Sequence, residues 1–222
     1  MLLPACCGEA YIATQVASIL LQLGEEDELI ISDDSPEMTM AFSDPRVKYI
    51  RGPRQGTAIK NVEFLLGQAG GEIIVLSDQD DVWLPGKLER TREKLDTDEP
   101  ALLHHNAVTT DEHLRETGRT KARPGLWRNW LKNSYTGCCM AFTRALLPHV
   151  LPFPEGIPMH DQWIGLRAEQ VGRVEFLDEP LLLWRRHGAT QTGKPSGLKQ
   201  KIVWRAKLAR ALMKTGKRGG FE

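Results

Sequence analysis

The stretch IIVLSDQDDVWLPGKLE, residues 73 to 89, decides how the rest of the sequence is interpreted. It begins as a continuous apolar run, which is typical of a strand buried on both faces of a sheet. Three carboxylates then follow within four positions, at Asp78, Asp80 and Asp81. Burying an unpaired carboxylate is costly, so such a cluster needs solvent, basic partners or a cation. The stretch therefore predicts a buried strand that ends in a concentration of negative charge.

The residues before this stretch alternate between strand and helix patterns. Apolar strand patterns occur at residues 1–5, 27–34 and 47–52, and helical spacing occurs at residues 11–23 and 57–69. This alternation predicts an α/β fold with a Rossmann-like, mostly parallel sheet flanked by helices. Ligands of such sheets bind beyond the carboxyl ends of the strands, which is where Asp33, Asp34 and the carboxylates of residues 78–81 fall.

The second half continues the sheet with longer and less regular connections. Residues 101–108 and 138–143 predict further strands, and residues 174–187 predict a strand or strand pair bent at Glu179-Pro180. The composition changes at Gly197, because the remaining segment carries many Lys and Arg residues and one acid, Glu222. We therefore expect a catalytic domain at residues 1–196 and a basic amphipathic tail at residues 197–222.

The tail allows two interpretations. Its apolar positions can share one stripe of a helix, formed by Leu198, Ile202, Ala206, Ala209, Leu212 and Met213. A basic amphipathic helix of this kind can lie on an anionic membrane surface, which predicts peripheral membrane contact through the tail. The same stripe can instead dock on the catalytic domain.

The bulk composition excludes several classes of partner. Lys plus Arg equals Asp plus Glu at 29 each, so the net charge of zero gives no argument for a nucleic-acid partner. No apolar run approaches the ~20 residues that cross a bilayer. The cysteine pairs Cys6-Cys7 and Cys138-Cys139 lack zinc-site spacing, and no secretory signal pattern is present. We expect a cytoplasmic protein with reduced thiols.

The three clustered carboxylates have three possible roles. An all-oxygen set suits Mg²⁺ or Mn²⁺ bound together with the phosphates of a nucleotide. A solvated acidic turn before a helix near Pro85 is the simplest alternative. A phosphatase with Asp78 as nucleophile and Asp80 as acid/base is another, although that motif normally opens its fold and here two β-α units precede it.

Five blocks of the sequence resemble the family 2 glycosyltransferases of the GT-A fold, in particular the bacterial rhamnosyltransferases. The blocks are GEAYIATQVASILLQL, ELIISDDS, GTAIKNVEFLLGQAGGEIIVLSDQDDVWLPGKL, MHDQWIGL and EPLLLWRRHGATQTG, in that order over residues 1 to about 193. The resemblance implies an inverting, metal-dependent glycosyltransferase. It is more specific for the family than for the sugar, although it favours dTDP-L-rhamnose as donor, followed by UDP-sugars.

The resemblance also implies roles for individual residues on the donor side. The nucleotide-sugar contacts are expected at Asp33, Asp34, Gly56, Lys60, Asn61 and Asp78. The divalent cation, Mg²⁺ or Mn²⁺, is expected on Asp80 and Asp78 with His187, while Asp81 is expected behind these ligands. Arg185 and Arg186 beside His187 can neutralise phosphate.

On the acceptor side, the resemblance places the catalytic base at Asp161, in the block MHDQW. Asp161 also suits the N-cap of the helix that follows, and the two roles are compatible. His160, Trp127 and Trp130 are the expected acceptor contacts, since aromatic faces stack on sugar rings. The expected partners are thus a nucleotide-sugar donor and a glycan or lipid-linked acceptor in the synthesis of a cell-surface polysaccharide, at the inner face of the cytoplasmic membrane.

Two positions depart from the family pattern. The first strand ends in Cys6-Cys7 where relatives carry Thr or Ala followed by Tyr-Asn, and Asn106 stands where many relatives have Asp. These departures leave open a catalytically degenerate module that binds a nucleotide or glycan without turning it over.

Overall fold

A computed structural model describes residues 1–121, 123, 125–188 and 197–216. The first half contains β1 Leu2–Ala5, α1 Ile12–Leu20, β2 Leu29–Asp33, β3 Val47–Arg51, α2 Ala58–Gln68, β4 Ile73–Val75, β5 Val82–Trp83 and α3 Lys87–Lys94. The second half contains β6 Ala101–Thr110, β7 Glu116–Arg119, α4 Leu126–Leu131, β8 Met140–Thr143, α5 Leu147–Val150, α6 His160–Val171, β9 Arg173–Arg185 and α7 Leu198–Gly216. Short 3-10 turns at Gly137–Cys139 and Arg144–Leu146 flank β8.

The first three strands form a parallel sheet in the order β1-β2-β3. A parallel bridge between Leu2 and Leu76 joins β1 to the residues that follow β4. The second sheet runs β4-β8-β6-β9-β5, with β7 paired to β6. Only β6 and β9 pair in parallel there, and the other pairs are antiparallel. The predicted α/β fold is confirmed, and its second half is a mixed sheet rather than a parallel one.

Helices cover both faces of the strands. Along β2, the fully buried Ile30 packs into one apolar cluster and its neighbour Ile31 into the other, because successive side chains of a strand point to opposite faces. The continuous apolar patterns seen in the sequence are the consequence of this double burial. The bend expected at Glu179-Pro180 also exists, as a shift of register in β9 opposite Asn106.

Helix α7 docks on the catalytic domain. Its buried side chains Leu208, Ala211 and Leu212 belong to the apolar cluster that α2, α5 and α6 cover. The predicted stripe is therefore wrong in part, since Ile202 and Met213 point outward. Within the part of the chain that the structure describes, no helix is both long and apolar enough to cross a membrane.

Candidate active site

The two predicted carboxylate groups, Asp33-Asp34 and residues 78–81, lie at the carboxyl ends of β2 and β4, on either side of β1. The chain leaves β1 at Cys6 and β4 at Ser77, and the side chain of Gln79 joins the two exits. It accepts a hydrogen bond from the backbone N–H of Cys6 at 2.8 Å and donates one to its carbonyl at 3.1 Å. Gly8 packs so closely under Gln79 that a Cβ there would lie 2.3 Å from the amide oxygen. The loop after β1 is thus held to the acidic turn by a contact that could not be predicted from the sequence, because 73 positions separate Cys6 and Gln79.

Asp33, an expected nucleotide contact, is buried and hydrogen-bonded within the protein. It is 1% exposed, and its Oδ1 accepts hydrogen bonds from the backbone N–H and the hydroxyl of Ser35. The hydroxyl of Tyr49 donates to Oδ2, and burial together with this hydrogen bond raises the pKa of Tyr49 to about 12. Both carboxylate oxygens are therefore used within the protein, and the nucleotide contact expected at Asp33 stays a prediction.

Asp34 is the member of this pair that remains accessible. Its side chain is partly exposed, and Oδ1 accepts the backbone N–H of Arg54 at 2.9 Å. Gly52 makes room for it, since a Cβ at that position would lie 2.2 Å from Oδ1. The role expected of the Asp pair thus rests on Asp34.

The three donor-side residues near α2 differ in accessibility. Asn61 is 3% exposed, donates to the carbonyl of Ser32 at 3.0 Å and accepts from the hydroxyl of the same residue. These bonds join α2 to β2, and the ligand contact expected at Asn61 stays a prediction. Lys60 is partly exposed and forms an ion pair with Glu63 at 2.7 Å. Gly56 is exposed with a φ of 73°, a left-handed conformation that favours glycine.

The carboxylates after β4 separate into two neighbouring groups. Asp78, Asp81 and the thiol of Cys138 place ligand atoms within 4.8 Å of one another. Asp80 instead approaches His187, with 2.8 Å between Oδ2 and Nε2. The structure confirms that Asp80 and His187 are brought together, and it moves Asp81, which was expected behind the metal ligands, beside Asp78.

Burial and mutual repulsion disfavour the charged forms of this cluster. The pKa of Asp78 is raised to about 6, first by burial and then by the charge of Asp80. The pKa of Asp81 is raised well above its ordinary value by burial and by both neighbouring carboxylates. Carboxylates held this closely are stabilised in their charged forms by a cation.

The donor set fits a hard divalent cation. Asp81 is 0% exposed, and among the described residues its Oδ2 has no hydrogen-bond partner, while Oδ1 accepts the backbone N–H of Arg185 at 3.0 Å. Carboxylate oxygens are the preferred ligands of Mg²⁺ and Mn²⁺. Asp78, Asp80 and Asp81 are therefore the residues that can hold such an ion, with the imidazole of His187 beside them.

Arg185 supports the acidic turn rather than facing a phosphate. It is 7% exposed, and its guanidinium donates to the carbonyls of Asp80 and Glu112, each at 2.7 Å. The same guanidinium lies 4.8 Å from the ring centre of Tyr11, whose other neighbour is the ring of His187 at 4.8 Å. The proposed phosphate role of Arg185 is corrected, and Tyr11 emerges as a residue that orients the His187 end of the site.

Asp161 lies in the first turn of α6 and faces the acidic cluster. Its Oδ1 accepts the backbone N–H of Gln162 at 2.6 Å and the side-chain amide of Asn133 at 3.3 Å. Burial raises the pKa of Asp161 to about 7, and the charge of Asp78 adds to the shift. The N-cap position belongs to Met159, so the prediction that Asp161 caps the helix is wrong by two residues.

The predicted acceptor residues are placed differently from one another. Burial lowers the pKa of His160 to about 4, and its Nε2 lies 2.8 Å from where a Cβ of Gly137 would stand. His160 is thus a neutral ring packed on the 3-10 turn before β8. Trp127 is 76% exposed on α4, and the ring of Trp130 meets it edge-on with 6.2 Å between centroids.

A buried lysine lies behind the acidic cluster. Lys87 is 1% exposed, and its ammonium donates to the carbonyl of Cys138 at 2.7 Å and lies 4.5 Å from the ring centre of Trp83. Desolvation lowers its pKa, although the charges of Asp81 and Asp78 oppose this shift. The sequence did not predict this burial, because it depends on the contacts of Lys87 with Trp83 and with the turn before β8.

A GT-A glycosyltransferase carries acidic residues at the strand ends of a Rossmann-like sheet. The chain adopts this class of fold. Residues 2–151 match the sequence model of the family described as glycosyl transferase family 2, and the chain belongs to that family. Membership of this family favours the glycosyltransferase interpretation of Asp78, Asp80 and Asp81 over the phosphatase alternative.

Two curated proteins are similar in sequence. One is an uncharacterised glycosyltransferase of Nostoc sp., 27% identical over 203 residues that make up 81% of this chain and 62% of that protein. The other is the Escherichia coli UDP-Glc:alpha-D-GlcNAc-diphosphoundecaprenol beta-1,3-glucosyltransferase WfgD, 26% identical over 160 residues, which are 69% of this chain and 63% of that protein. The chain therefore spans somewhat less than two thirds of the length of either relative.

Two solved structures are similar in fold. S. aureus TarS 1-349, in complex with UDP-GlcNAc, superposes with a TM-score of 0.70 at 18% identity, over 88% of this chain and 61% of that one. The mannosyltransferase PcManGT from Pyrobaculum calidifontis, in complex with GDP-Man and Mn²⁺, superposes with a TM-score of 0.58 at 14% identity, over 99% of this chain and 75% of that one. Both likenesses concern the fold.

Proposed function

We propose that this protein transfers a sugar from a nucleoside diphosphate to a hydroxyl of a glycan or lipid-linked acceptor, with inversion at the anomeric carbon. The observation that carries the proposal is a second buried carboxylate, Asp161, whose pKa is raised by burial and further by the charge of Asp78 in the acidic cluster. One acidic group that holds the leaving diphosphate and a separate one that accepts a proton are what an inverting displacement requires.

Asp161 is the proposed general base. Its pKa of about 7 lies near neutral pH, where a base is both available in its ionised form and strong enough to take a proton from a hydroxyl. The amide of Asn133 and the N–H of Gln162 fix the orientation of one carboxylate oxygen. We assign the other carboxylate oxygen to the acceptor hydroxyl.

Asp78, Asp80 and Asp81 hold the donor diphosphate through a divalent cation, with His187 at the edge of the set. When bound, Mg²⁺ or Mn²⁺ offsets the charge that develops on the leaving nucleoside diphosphate. The protein's own contribution is to keep the three carboxylates in place, since Arg185 anchors both the carbonyl of Asp80 and, through its backbone N–H, the side chain of Asp81.

Asp34, Gly56 and Lys60 form the proposed nucleotide end of the site. A carboxylate at Asp34 can accept the ring N–H that uracil and thymine share, so the donor carries UDP or dTDP. The resemblance to rhamnosyltransferases supports dTDP-L-rhamnose, and the names of WfgD and of the TarS complex support a UDP-sugar. The name of WfgD, which acts on a diphosphoundecaprenol acceptor, supports a lipid-linked acceptor at the inner face of the cytoplasmic membrane.

A thermal-shift screen of UDP-, dTDP- and GDP-sugars with and without Mn²⁺, followed by transfer assays with the donor that binds, tests the proposal. We expect a shift that needs both one nucleotide and the metal. We also expect turnover to fall by about 10²–10⁴ in Asp161→Asn while donor binding persists. Binding without turnover in the wild-type protein would replace the proposal with the nucleotide- or glycan-binding module. A covalent phosphate on Asp78 would instead support phosphatase chemistry.

A further inference from the structure

Helices α4 and α7 together expose an apolar and basic surface, which we call the α4–α7 face. Its apolar side chains are Trp127 (76% exposed), Leu131 (53%), Ile202 (57%), Val203 (46%) and Met213 (65%). Among the described residues, the other large apolar side chains that are exposed are only Leu21 and Met159. Exposed apolar side chains scattered singly need no explanation, whereas a group concentrated on two neighbouring helices indicates an interaction surface.

The two helices meet, so the face is continuous. The guanidinium of Arg205 on α7 donates to the carbonyl of Leu131 at the end of α4, with 2.6 Å between Nη2 and the oxygen. Trp127 precedes Leu131 by one helical turn, and Ile202 precedes Arg205 by nearly one turn, so these side chains lie on adjoining parts of the surface.

The charge of α7 is of one sign. Its exposed basic residues are Lys199, Lys201, Lys207, Arg210 and Lys214, and the segment Leu198–Gly216 contains no acidic residue. Its opposite side is anchored in the core through Leu208, Ala211 and Leu212. The outward side is therefore held in a fixed orientation with its positive charges interleaved with Ile202 and Met213.

Positive charges interleaved with apolar side chains complement an anionic lipid bilayer. A second copy of the chain is a poorer partner, because a two-fold contact would bring the same positive charges together. We propose that the α4–α7 face docks on an anionic membrane surface, with Trp127 at the level of the lipid headgroups rather than against the acceptor sugar.

This docking places the acceptor side of the site near the membrane. Asn129 and Trp130 of α4 accept hydrogen bonds from the side-chain amide of Gln162, at 2.7 and 3.4 Å, and Asn133, just after α4, donates to Asp161. Helix α4 thus lies between the docked surface and the proposed base. The inference rests on the proposed function insofar as the acceptor is lipid-linked, but membrane binding is measured without donor, acceptor or turnover.

Flotation of the full chain with vesicles tests the proposal. We compare vesicles of phosphatidylcholine alone with vesicles that also contain phosphatidylglycerol, and we expect binding to the anionic vesicles only. Two variants remove the two components of the face, Ile202→Ser with Met213→Ser and Arg210→Gln with Lys214→Gln. Each is expected to lower the partition coefficient by about tenfold or more, while the control Leu21→Ser, which removes an exposed leucine from another surface, leaves it unchanged.

Equal binding to both kinds of vesicle, or no binding, overturns the proposal. Retained binding by both double variants overturns it as well. Self-association without vesicles that is lost in the variant with Ile202→Ser and Met213→Ser also overturns it, because a second copy of the chain would then cover the face. Asp161→Asn is expected to bind vesicles like the wild type, so failure of the glycosyltransferase proposal and failure of membrane docking are distinguished.

Discussion

The imidazole Nε2 of His187 lies 2.8 Å from Oδ2 of Asp80, although 107 positions separate the two residues in the chain. The end of β9 brings them together, because β9 pairs with β5 and β5 directly follows the acidic turn. The imidazole also contacts the ring of Tyr11, with 4.8 Å between centroids and an angle of 38° between the ring planes. The relationship joins the last strand of the sheet to the proposed metal site.

His187→Ala is expected to weaken Mn²⁺ binding and transfer by about tenfold to a hundredfold, as loss of a residue that ligates or orients a metal ligand does. Titration of Mn²⁺ followed by electron paramagnetic resonance measures the affinity without turnover. His113→Ala, which removes an exposed histidine paired with Glu112, is the matched control. An unchanged Mn²⁺ affinity in the His187 variant would remove this residue from the metal site.

The pH dependence of transfer is expected to report the ionisation of Asp161. The base works in its charged form, so kcat/KM rises with pH up to the pKa of about 7 and is level above it. A cation that offsets the charge of Asp78 lowers this midpoint, because that charge contributes to the raised pKa. Rates measured between about pH 5 and 9 in Asp161→Asn are expected to fall by about 10²–10⁴ and to lose the rise. A wild-type profile without any rise below pH 7 would assign the proton transfer to another group.

The local patterns of the sequence were sufficient for most of the fold. Apolar residues 73–76 and the helical spacing before Leu23 place β4 and α1 correctly, since each pattern depends on burial next to the element itself. The direction of β8 was not predictable, because a four-residue apolar strand carries the same pattern whether it pairs in parallel or antiparallel. The buried face of α7 was not predictable either, since its sequence contains more than one apolar stripe and the contacts of Leu208 with the core decide between them.

In the candidate site as well, the residue types were predictable from local motifs, whereas their contacts depend on distant parts of the chain. The carboxylates at residues 78–81 and Asp161 are recognisable from their motifs, whereas the burial of Asp33 depends on Tyr49 of a neighbouring strand. The position of Asp81 beside Cys138 likewise depends on β8 and the turn before it, some fifty residues downstream. A motif identifies the residue types of a site, and long-range packing decides which of their atoms face the ligand.

Asp33→Asn is expected to affect stability, whereas Asp34→Asn is expected to affect nucleotide binding. The first replaces one of two buried accepting oxygens by an amide nitrogen. The hydrogen bonds from Ser35 and Tyr49 cannot then both be kept, so the free energy of unfolding is expected to fall by about 1–3 kcal/mol. The second changes a partly exposed side chain, so it is expected to weaken nucleotide binding by about tenfold with little change in stability. Chemical denaturation and calorimetric titration with UDP and dTDP measure the two quantities. Equal loss of affinity at equal stability in both variants would show that Asp33 also faces the nucleotide.

Gly165→Ala and Gly67→Ala are a matched pair that tests the packing of α6 beneath the proposed base. A Cβ at Gly165 would lie 2.3 Å from the ring of Tyr135, whose hydroxyl is bonded to Glu169, so the ring cannot move away without breaking that bond. Overpacking of this kind is expected to cost about 1–3 kcal/mol. A Cβ at Gly67, in helix α2, meets no atom within 4 Å, and alanine there is expected to stabilise the helix by about 0.5–1 kcal/mol. Denaturation curves of the two variants measure both changes in stability. A Gly165→Ala variant as stable as the wild type would show that Tyr135 and α6 are more loosely packed than the structure indicates. Because Asp161 lies one turn before Gly165 on α6, transfer by this variant is expected to fall more than its loss of stability accounts for.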